Sequence, residues 1–425
     1  MTTAQPGDAP AVGRSGRGIV RAAGRLGWGL ADQALSSLTN FLISLLVARE
    51  VGIEQLGVFS LVFATYLLAL GISRSLNSDP LLVRYSAAEP QRWRQGTAMA
   101  GGGALGFGVI AGAACAIAGA VAGGLLGTAL IVLGVSLPGL LLQDAWRFAF
   151  IAAGRSFHAF LNDLIWAVVL IPVLVILVVT GHSSVVEFQL AWGGAAGVAA
   201  LVGIAQAGLC PWPVNPLAWW RRHRDLNARY LAEFLAIGGA SQLNSYGVNA
   251  VTGLAAVGAL RAGEILMGPV HVLFMGGNVV AVAEGARIGR ASPSGLARMS
   301  ILVSAAMSIA AALWGLVLVL LPDSIGTRLL GPTWYAAASV VVPYVLLTVG
   351  LTASAGPQSG LRALAAARRG LRARLVASPL MLVGAIGGAV LGGAVGAAWG
   401  MAAGNWVGAA VWWWQFRLAV REHRP

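Results

Sequence analysis

The chain has 425 residues, 58% of them hydrophobic and only 10% charged, with a mean hydropathy of +0.79 and a net charge of +13. A soluble domain carries about 25% charged residues, so this composition excludes a water-soluble globular protein and points to one polytopic membrane body. All 28 basic residues are Arg, set in small groups between apolar runs rather than in one patch, which argues against a nucleic-acid partner.

Residues 1–25 read as a cytoplasmic tail, polar and Gly-rich, with Arg14, Arg17, Arg21 and Arg25 and no evident signal peptide. A spanning helix needs about 20 mostly apolar residues. Twelve such runs follow, over 28–48, 57–77, 98–122, 125–150, 159–180, 185–208, 230–251, 257–284, 296–321, 335–356, 374–393 and 395–416. The third, eleventh and twelfth are rich in Gly and Ala. Small residues let transmembrane helices approach closely, so these three are expected inside a bundle. Pro138, Pro172, Pro269 and Pro343 fall within runs and can bend them.

The arginines occupy alternate loops. Arg84, Arg92 and Arg94 follow the second run, Arg155 the fourth, and Arg221, Arg222 and Arg224 the sixth. Arg287, Arg290 and Arg298 follow the eighth, Arg362 to Arg374 the tenth, and Arg417, Arg421 and Arg424 the last. The other loops hold only Arg49, Arg261 and Arg328. Positive loops stay in the cytoplasm, so both termini are expected there. Trp212, Trp219 and Trp220, like Trp412, Trp413 and Trp414, adjoin Arg and read as interfacial anchors. Cys115 and Cys210 have no metal-site spacing and read as small buried hydrophobes.

A constant offset pairs Asp32 with Glu233, Gly57 with Gly258 and Asn77 with Asn278. A slightly longer one pairs Ser37 and Asn40 with Ser241 and Asn244. These matches point to two parallel repeats related by an axis along the membrane normal. The expected architecture is all-α and integral to the membrane, with about twelve transmembrane helices in two six-helix lobes around a central cavity. The N-terminal lobe is read as 26–208, a cytoplasmic linker as 209–229, the C-terminal lobe as 230–416 and a cytoplasmic tail as 417–425.

An ionisable residue at the centre of a membrane helix costs about 2.5–3.5 kcal/mol on insertion scales, so such residues face a partner or a wet cavity. Direction of travel places Asp32, Arg74, Asp79, Asp144, Arg147, Arg155 and Asp163 in one layer near the cytoplasmic side, with Glu233 and Glu284 at the same depth. Arg261 and Glu264 lie towards the outer face. Asp144 with Arg147, and Arg261 with Glu264, are i,i+3 neighbours close enough to pair. The first pair reads as a self-neutralising contact, a gate or a headgroup site. Run seven holds Ser241, Gln242, Asn244, Ser245, Tyr246 and Asn249, a polarity no lipid-facing helix tolerates. Together with Asn40, His271 and Asn278 these residues are expected around a hydrated cavity between the halves.

There is no GxSxG, P-loop or HExxH, so an enzyme is disfavoured, and no cofactor is expected. Energy would come from a gradient or from substrate supply. Asp32, Asp144, Asp163, Glu233 and Glu264 are the candidate gate or coupling residues, with H+ or Na+ as the possible coupling ion.

Several stretches resemble a known family. "WGLADQALSSLTNFLISLLVAREVGIEQLGVFSLVFATYLL", "LLLQDAWRFAF", "FLNDLIW" and "LRAGEILMGPVHVLFMGG" are similar to oligosaccharide flippases of actinobacterial polysaccharide-export type. These belong to the multidrug/oligosaccharidyl-lipid/polysaccharide exporter superfamily. The resemblance implies two six-helix lobes around a cavity. It also implies movement of a polyprenyl-diphosphate-linked oligosaccharide from the inner to the outer leaflet of the bacterial plasma membrane by alternating access. Membrane lipids and a polysaccharide polymerase or glycosyltransferases would be its partners. Family members often use cavity arginines for the diphosphate. Arg261, in the matching "LRA", is the first carry-over, followed by Arg74 and Arg147, with Asn40, Gln242, Asn244 and Asn278 as polar lining. Lipid II flippases of the superfamily typically have fourteen helices. Twelve also suits its cation-coupled multidrug antiporters, although an Arg-rich mouth fits an anionic headgroup better. A non-transporting scaffold of a polysaccharide assembly complex is the third reading.

Overall fold

Helix starts and stops follow local sequence. The computed structural model describes residues 13–86, 88–212, 215–274, 281 and 293–422, and every regular element among them is helical. α1 (Gly13–Glu50) leads to α2 (Ile53–Ser73), which runs through a π-helical turn at Arg74–Ser78 into α3 (Asp79–Tyr85). α4 (Pro90–Ala122), α5 (Gly124–Ala152), α6 (Ser156–Val179) and α7 (Val185–Ala207) follow. Pro90 opens α4, where its missing N–H costs nothing. A capping box of Ser184 and Glu187 opens α7, and Gly208 ends it in the left-handed conformation.

The short α8 (Pro216–Arg222) precedes α9 (Arg224–Phe234), a second π turn at Leu235–Gly239, and α10 (Ala240–Thr252). Then come α11 (Leu254–Leu266), α12 (Gly268–Phe274), α13 (Pro293–Val319), α14 (Asp323–Leu330), α15 (Trp334–Ala353), α16 (Ala355–Ala363) and α17 (Ala367–Glu422).

Nine of these stretches are long and apolar enough to cross a membrane among the described residues. The bent pair α11 and α12 adds another, broken by 56° beside Pro269. The 224–252 stretch is helical throughout but is not among the stretches long and apolar enough to cross. α17 turns back at Gly392 and Gly393, whose backbone angles are not helical, and so supplies two limbs. Among the described residues these helices correspond to the twelve runs read from the sequence, nine or ten of them spans by length and composition.

Two of the Gly-rich expectations need correction. A Cβ added at Gly108, Gly112 or Gly119 would run into the backbone of Pro138, Gly134 or Gly127, respectively. Each of these pairs is equidistant from Gly123, the left-handed residue between α4 and α5. In α17 the pairs Gly388 with Gly396, Gly384 with Gly400 and Leu380 with Gly404 are each equidistant from Gly392. The small residues therefore zip each hairpin onto itself. The outer faces are not in the interior: Ile117, Val121, Val383, Val390 and Leu391 are all exposed, as lipid-facing residues are.

Packing falls into two groups. α4 lies along α5, α5 along α7, and α6 against α1 and α7; in the second, α15 packs on α13 and α17, and α10 on α17. The groups meet where α2 lies along α11, and where α1 touches α14. Thr333 Oγ1 donates to the Ala48 carbonyl at 2.8 Å at this second junction.

The contact between α2 and α11 is reciprocal. A Cβ at Gly57 would meet the Leu254 carbonyl, and one at Gly258 would meet the Ile53 carbonyl. The offset that pairs Gly57 with Gly258 also pairs Ile53 with Leu254, so exchanging the two helices reproduces the contact. That is the signature of a two-fold axis between them. Backbone cannot rotate away, and overpacking of this kind costs about 1–3 kcal/mol, with about 1.4 kcal/mol worth tenfold in an equilibrium. Gly57→Ala or Gly258→Ala should therefore lower the population of this close arrangement about tenfold. Spin labels at the exposed positions Glu54 and Ala255 would report it as a longer distance, and an unchanged distribution would count against the contact.

The π turn at Arg74–Ser78 frees backbone carbonyls, and the indole of Trp219 takes that of Leu76 at 3.0 Å. Trp220 donates to Asn77 Oδ1 at 3.3 Å. Trp219 is fully buried and Trp412 nearly so; of the expected anchors, Trp212 and Trp414 are the exposed ones. Cys115 is half-buried, while Cys210, expected inside, is exposed.

Candidate functional site

A cavity of about 370 Å³ lies between α2, α10, α11, α12, α15 and both limbs of α17. Gln242, Asn244 and Ser245 line it from the polar face of α10, and Asn405 from the second limb of α17. Phe63, Tyr344, Met381 and Met401 make its apolar wall. The sequence places this cavity between the halves. It lies instead mainly in the second group, with α2 alone of the first forming a wall, because α2 is the helix laid along α11.

Arg261 is the cation of this cavity. Its Nη1 donates to Glu264 Oε2 at 2.8 Å and its Nη2 to Ser44 Oγ of α1 at 3.0 Å. The guanidinium sits 4.9 Å from the Phe63 ring centroid, within cation–π reach. Its Nε is buried and has no hydrogen-bond partner among the described residues, and neither has Asn244 Oδ1. A guanidinium offers five donors, so this one is fixed in place with donor capacity to spare. Tyr246 and Thr65 share a hydroxyl contact that ties α10 to α2.

A second polar centre is closed off in the first group. Arg74 grips Asp144, Nη2 to Oδ1 at 2.7 Å and Nε to Oδ2 at 3.0 Å. Arg147 Nε donates to Asp32 Oδ2 at 2.6 Å and lies 3.6 Å from Asp163 Oδ2. Gln143 donates to Asp163 at 2.7 Å and to Asn162 at 3.2 Å, and Asn162 continues to Gln206 at 2.8 Å. Asp144 and Arg147 therefore do not pair with each other. Residues three apart on a helix diverge by about 60° around its axis, so Asp144 faces the π turn and Arg147 faces α1 and α6. Three buried carboxylates share two guanidiniums, and Asp32 Oδ1 and Asp163 Oδ2 accept no hydrogen bond among the described residues. Arg155 stands apart from this layer, 5.7 Å from the Trp93 ring.

No family model matches the chain, and no curated protein matches it. Solved structures do. A multidrug resistance MATE family transporter of the MOP superfamily, in an inward-facing conformation, aligns with a TM-score of 0.69 at 14% identity, covering 93% of this chain and 100% of the other. The lipid II flippase MurJ, in an inward closed conformation, aligns with 0.70 at 10%, covering 93% and 90%. A MOP superfamily transporter from Pyrococcus furiosus aligns with 0.52 at 16%, covering 95% of each. The chain has the MOP transporter fold. The matched structures are transporters and a flippase; this chain has its own nine stretches long and apolar enough to cross a membrane among the described residues.

Within the MOP fold the remaining candidates divide. Gln242, Asn244, Arg261 and Glu264 meet at the cavity. Arg74 and Arg147, read from the sequence as substrate arginines, do not line it; each is held by carboxylates in the other group. Asn40 is half-buried on α1 and not on the cavity wall, and Glu233 is exposed on α9 beside a different cavity. Asn278 and Glu284 lie outside the described residues. Sequence reading misses Ser44, Tyr344 and Asn405. Asn405, which donates to the Leu347 carbonyl at 2.8 Å, shares its run with one other amide, Gln415, ten residues on, and gives no periodic signal.

Proposed function

We propose that the protein flips a polyprenyl-diphosphate-linked oligosaccharide from the inner to the outer leaflet of a bacterial plasma membrane by alternating access. In this reading residues 26–208 and 230–416 are the two moving lobes, the linker 209–229 and both termini are cytoplasmic, and membrane lipids and a polymerase or glycosyltransferases are partners. The observation that carries it is the Arg261 guanidinium, which keeps donors beyond those given to Glu264 and Ser44 and stands beside Gln242, Asn244, Ser245 and Asn405: an anion flanked by sugar hydroxyls suits both. The cavity volume is within the range of small-molecule sites, about 300–1,000 Å³. It would take the headgroup and leave the polyprenyl tail in lipid.

A second reading is favoured by a different observation. The surplus carboxylate among Asp32, Asp144 and Asp163 suits uptake of H+ or Na+, and the Phe63, Tyr344 and Met lining suits a cationic drug. MATE transporters share the fold. Glu264 would then be the counter-charge for the drug.

One experiment separates them. Purified protein in liposomes is given a fluorescent polyprenyl-diphosphate glycan or a cationic dye, with and without an imposed H+ or Na+ gradient. The flippase moves the glycan lipid and ignores the dye. Dye export that needs the gradient and disappears in Asp32→Asn establishes the antiporter instead.

A further inference from the structure

A second cavity, of about 560 Å³, lies where the end of α9 meets α16 and the two ends of α17. Arg362, Arg368 and Arg374 line it, with Glu233 the only carboxylate among the described lining residues. None of the three arginines makes a hydrogen bond or ion pair to a described residue. The contrast with their neighbour is sharp: Arg369 is bound by Glu422 and Gln415. The Arg374 guanidinium is steadied 5.8 Å from the Trp412 ring. The connection from α16 to α17 holds Ala365 at a φ of 53°, a conformation L residues rarely adopt. It turns the chain so that Arg362 and Arg368 border one volume. The cavity floor is the first turn of α17, whose partial positive charge adds to theirs. Leu361, Leu371 and Trp412 give the same cavity an apolar side.

The site is distinct from the first cavity but stands on the same helices. Glu233 precedes Gln242, Arg374 precedes Met381, and Trp412 follows Asn405, by seven to nine residues, or about 10–14 Å at helical rise. Three unpaired guanidiniums against one carboxylate leave a surplus of positive charge. Planar forks of this kind match phosphate oxygens two at a time. We propose that this cavity is a separate binding site for a phosphate group carrying two negative charges, presented either by a lipid headgroup or by a soluble phosphate. It holds whether or not the first cavity takes a diphosphate lipid.

The test is calorimetry on the full-length protein in detergent. Pyrophosphate is titrated in one arm and dihexanoyl phosphatidic acid in the other. Saturable binding is expected, weakened about tenfold or more in Arg362→Gln/Arg368→Gln. It should be unchanged in Arg372→Gln, which is exposed outside the cavity, and a saturable component sensitive to Arg362→Gln/Arg368→Gln should persist in Arg261→Ala, which empties the first cavity of its cation. Binding of pyrophosphate as tightly as the lipid identifies a soluble ligand; tighter binding of phosphatidic acid identifies a headgroup. Absence of binding in both arms, or binding lost only in Arg261→Ala, or binding that survives Arg362→Gln/Arg368→Gln, overturns the proposal. Should that double variant fail to fold, Arg368→Gln alone carries the same comparison, since that side chain is exposed and bonds to no described residue.

Discussion

Replacing Arg147 with Leu is expected to destabilise the folded protein by about 3–5 kcal/mol, the cost of breaking a buried ion pair from one side. Asp32 and Asp163 are 1% and 4% exposed, so the loss leaves two carboxylates in the interior with no cation. The penalty comes from the stranded charges more than from the lost contacts. Adding Asp32→Asn and Asp163→Asn to Arg147→Leu should therefore restore most of the stability, because a neutral amide needs no counter-ion. Arg74→Leu should cost less than Arg147→Leu, because it strands one buried carboxylate, Asp144, where Arg147→Leu strands two. Unfolding midpoints in detergent check the ordering. An Arg147→Leu protein as stable as the parent, or a triple variant no better than the single one, would remove the buried network as a structural element.

Arg261→Ala is expected to cut glycan-lipid flipping by about a hundredfold or more while the protein stays folded. Two charge-assisted hydrogen bonds to a ligand, at about 1.5–3 kcal/mol each, more than account for that factor. Folding is spared because the partner, Glu264, has a side chain 48% exposed and can be solvated. Arg261→Lys should fall between, keeping the charge and losing the planar fork. The same variants read against dye transport give the opposite sign: removing a cation from the cavity leaves dye export intact or raises it. Flipping that is unimpaired in Arg261→Ala, with normal melting behaviour, takes this residue out of the substrate site.

The passes were legible because a bilayer leaves a backbone few options: each crossing is a long apolar helix, and Arg marks alternate loops. The cavity was legible through Gln242, Asn244 and Ser245, since lipid does not accept three polar side chains in one turn of α10. Partner choice was not. Asp144 and Arg147 sit at a spacing that permits pairing, but spacing on one helix says nothing of Arg74 and Asp32 arriving from α2 and α1. Glycine content had the same ambiguity. It announces close approach at Gly112 or Gly388, yet burial in a bundle and a zipped hairpin use one composition. Only the symmetry of the pairs about Gly123 and Gly392 tells them apart. Single polar residues in apolar runs, such as Asn405, carry no pattern at all.

The reciprocal joint of α2 and α11 has a consequence for how such a chain can arise. Gly57 meets position 254 and Gly258 meets position 53, so one half-length chain meeting a copy of itself already supplies both sides of the joint. The contact is self-complementary and needs no second gene. Joined in one polypeptide, two such halves no longer have to match in their charged groups, and here they do not. One has accumulated buried carboxylates around Arg147, and the other has opened a cavity around Arg261. A division of labour of this kind is closed to a true homodimer, in which every charge placed on one side appears on the other.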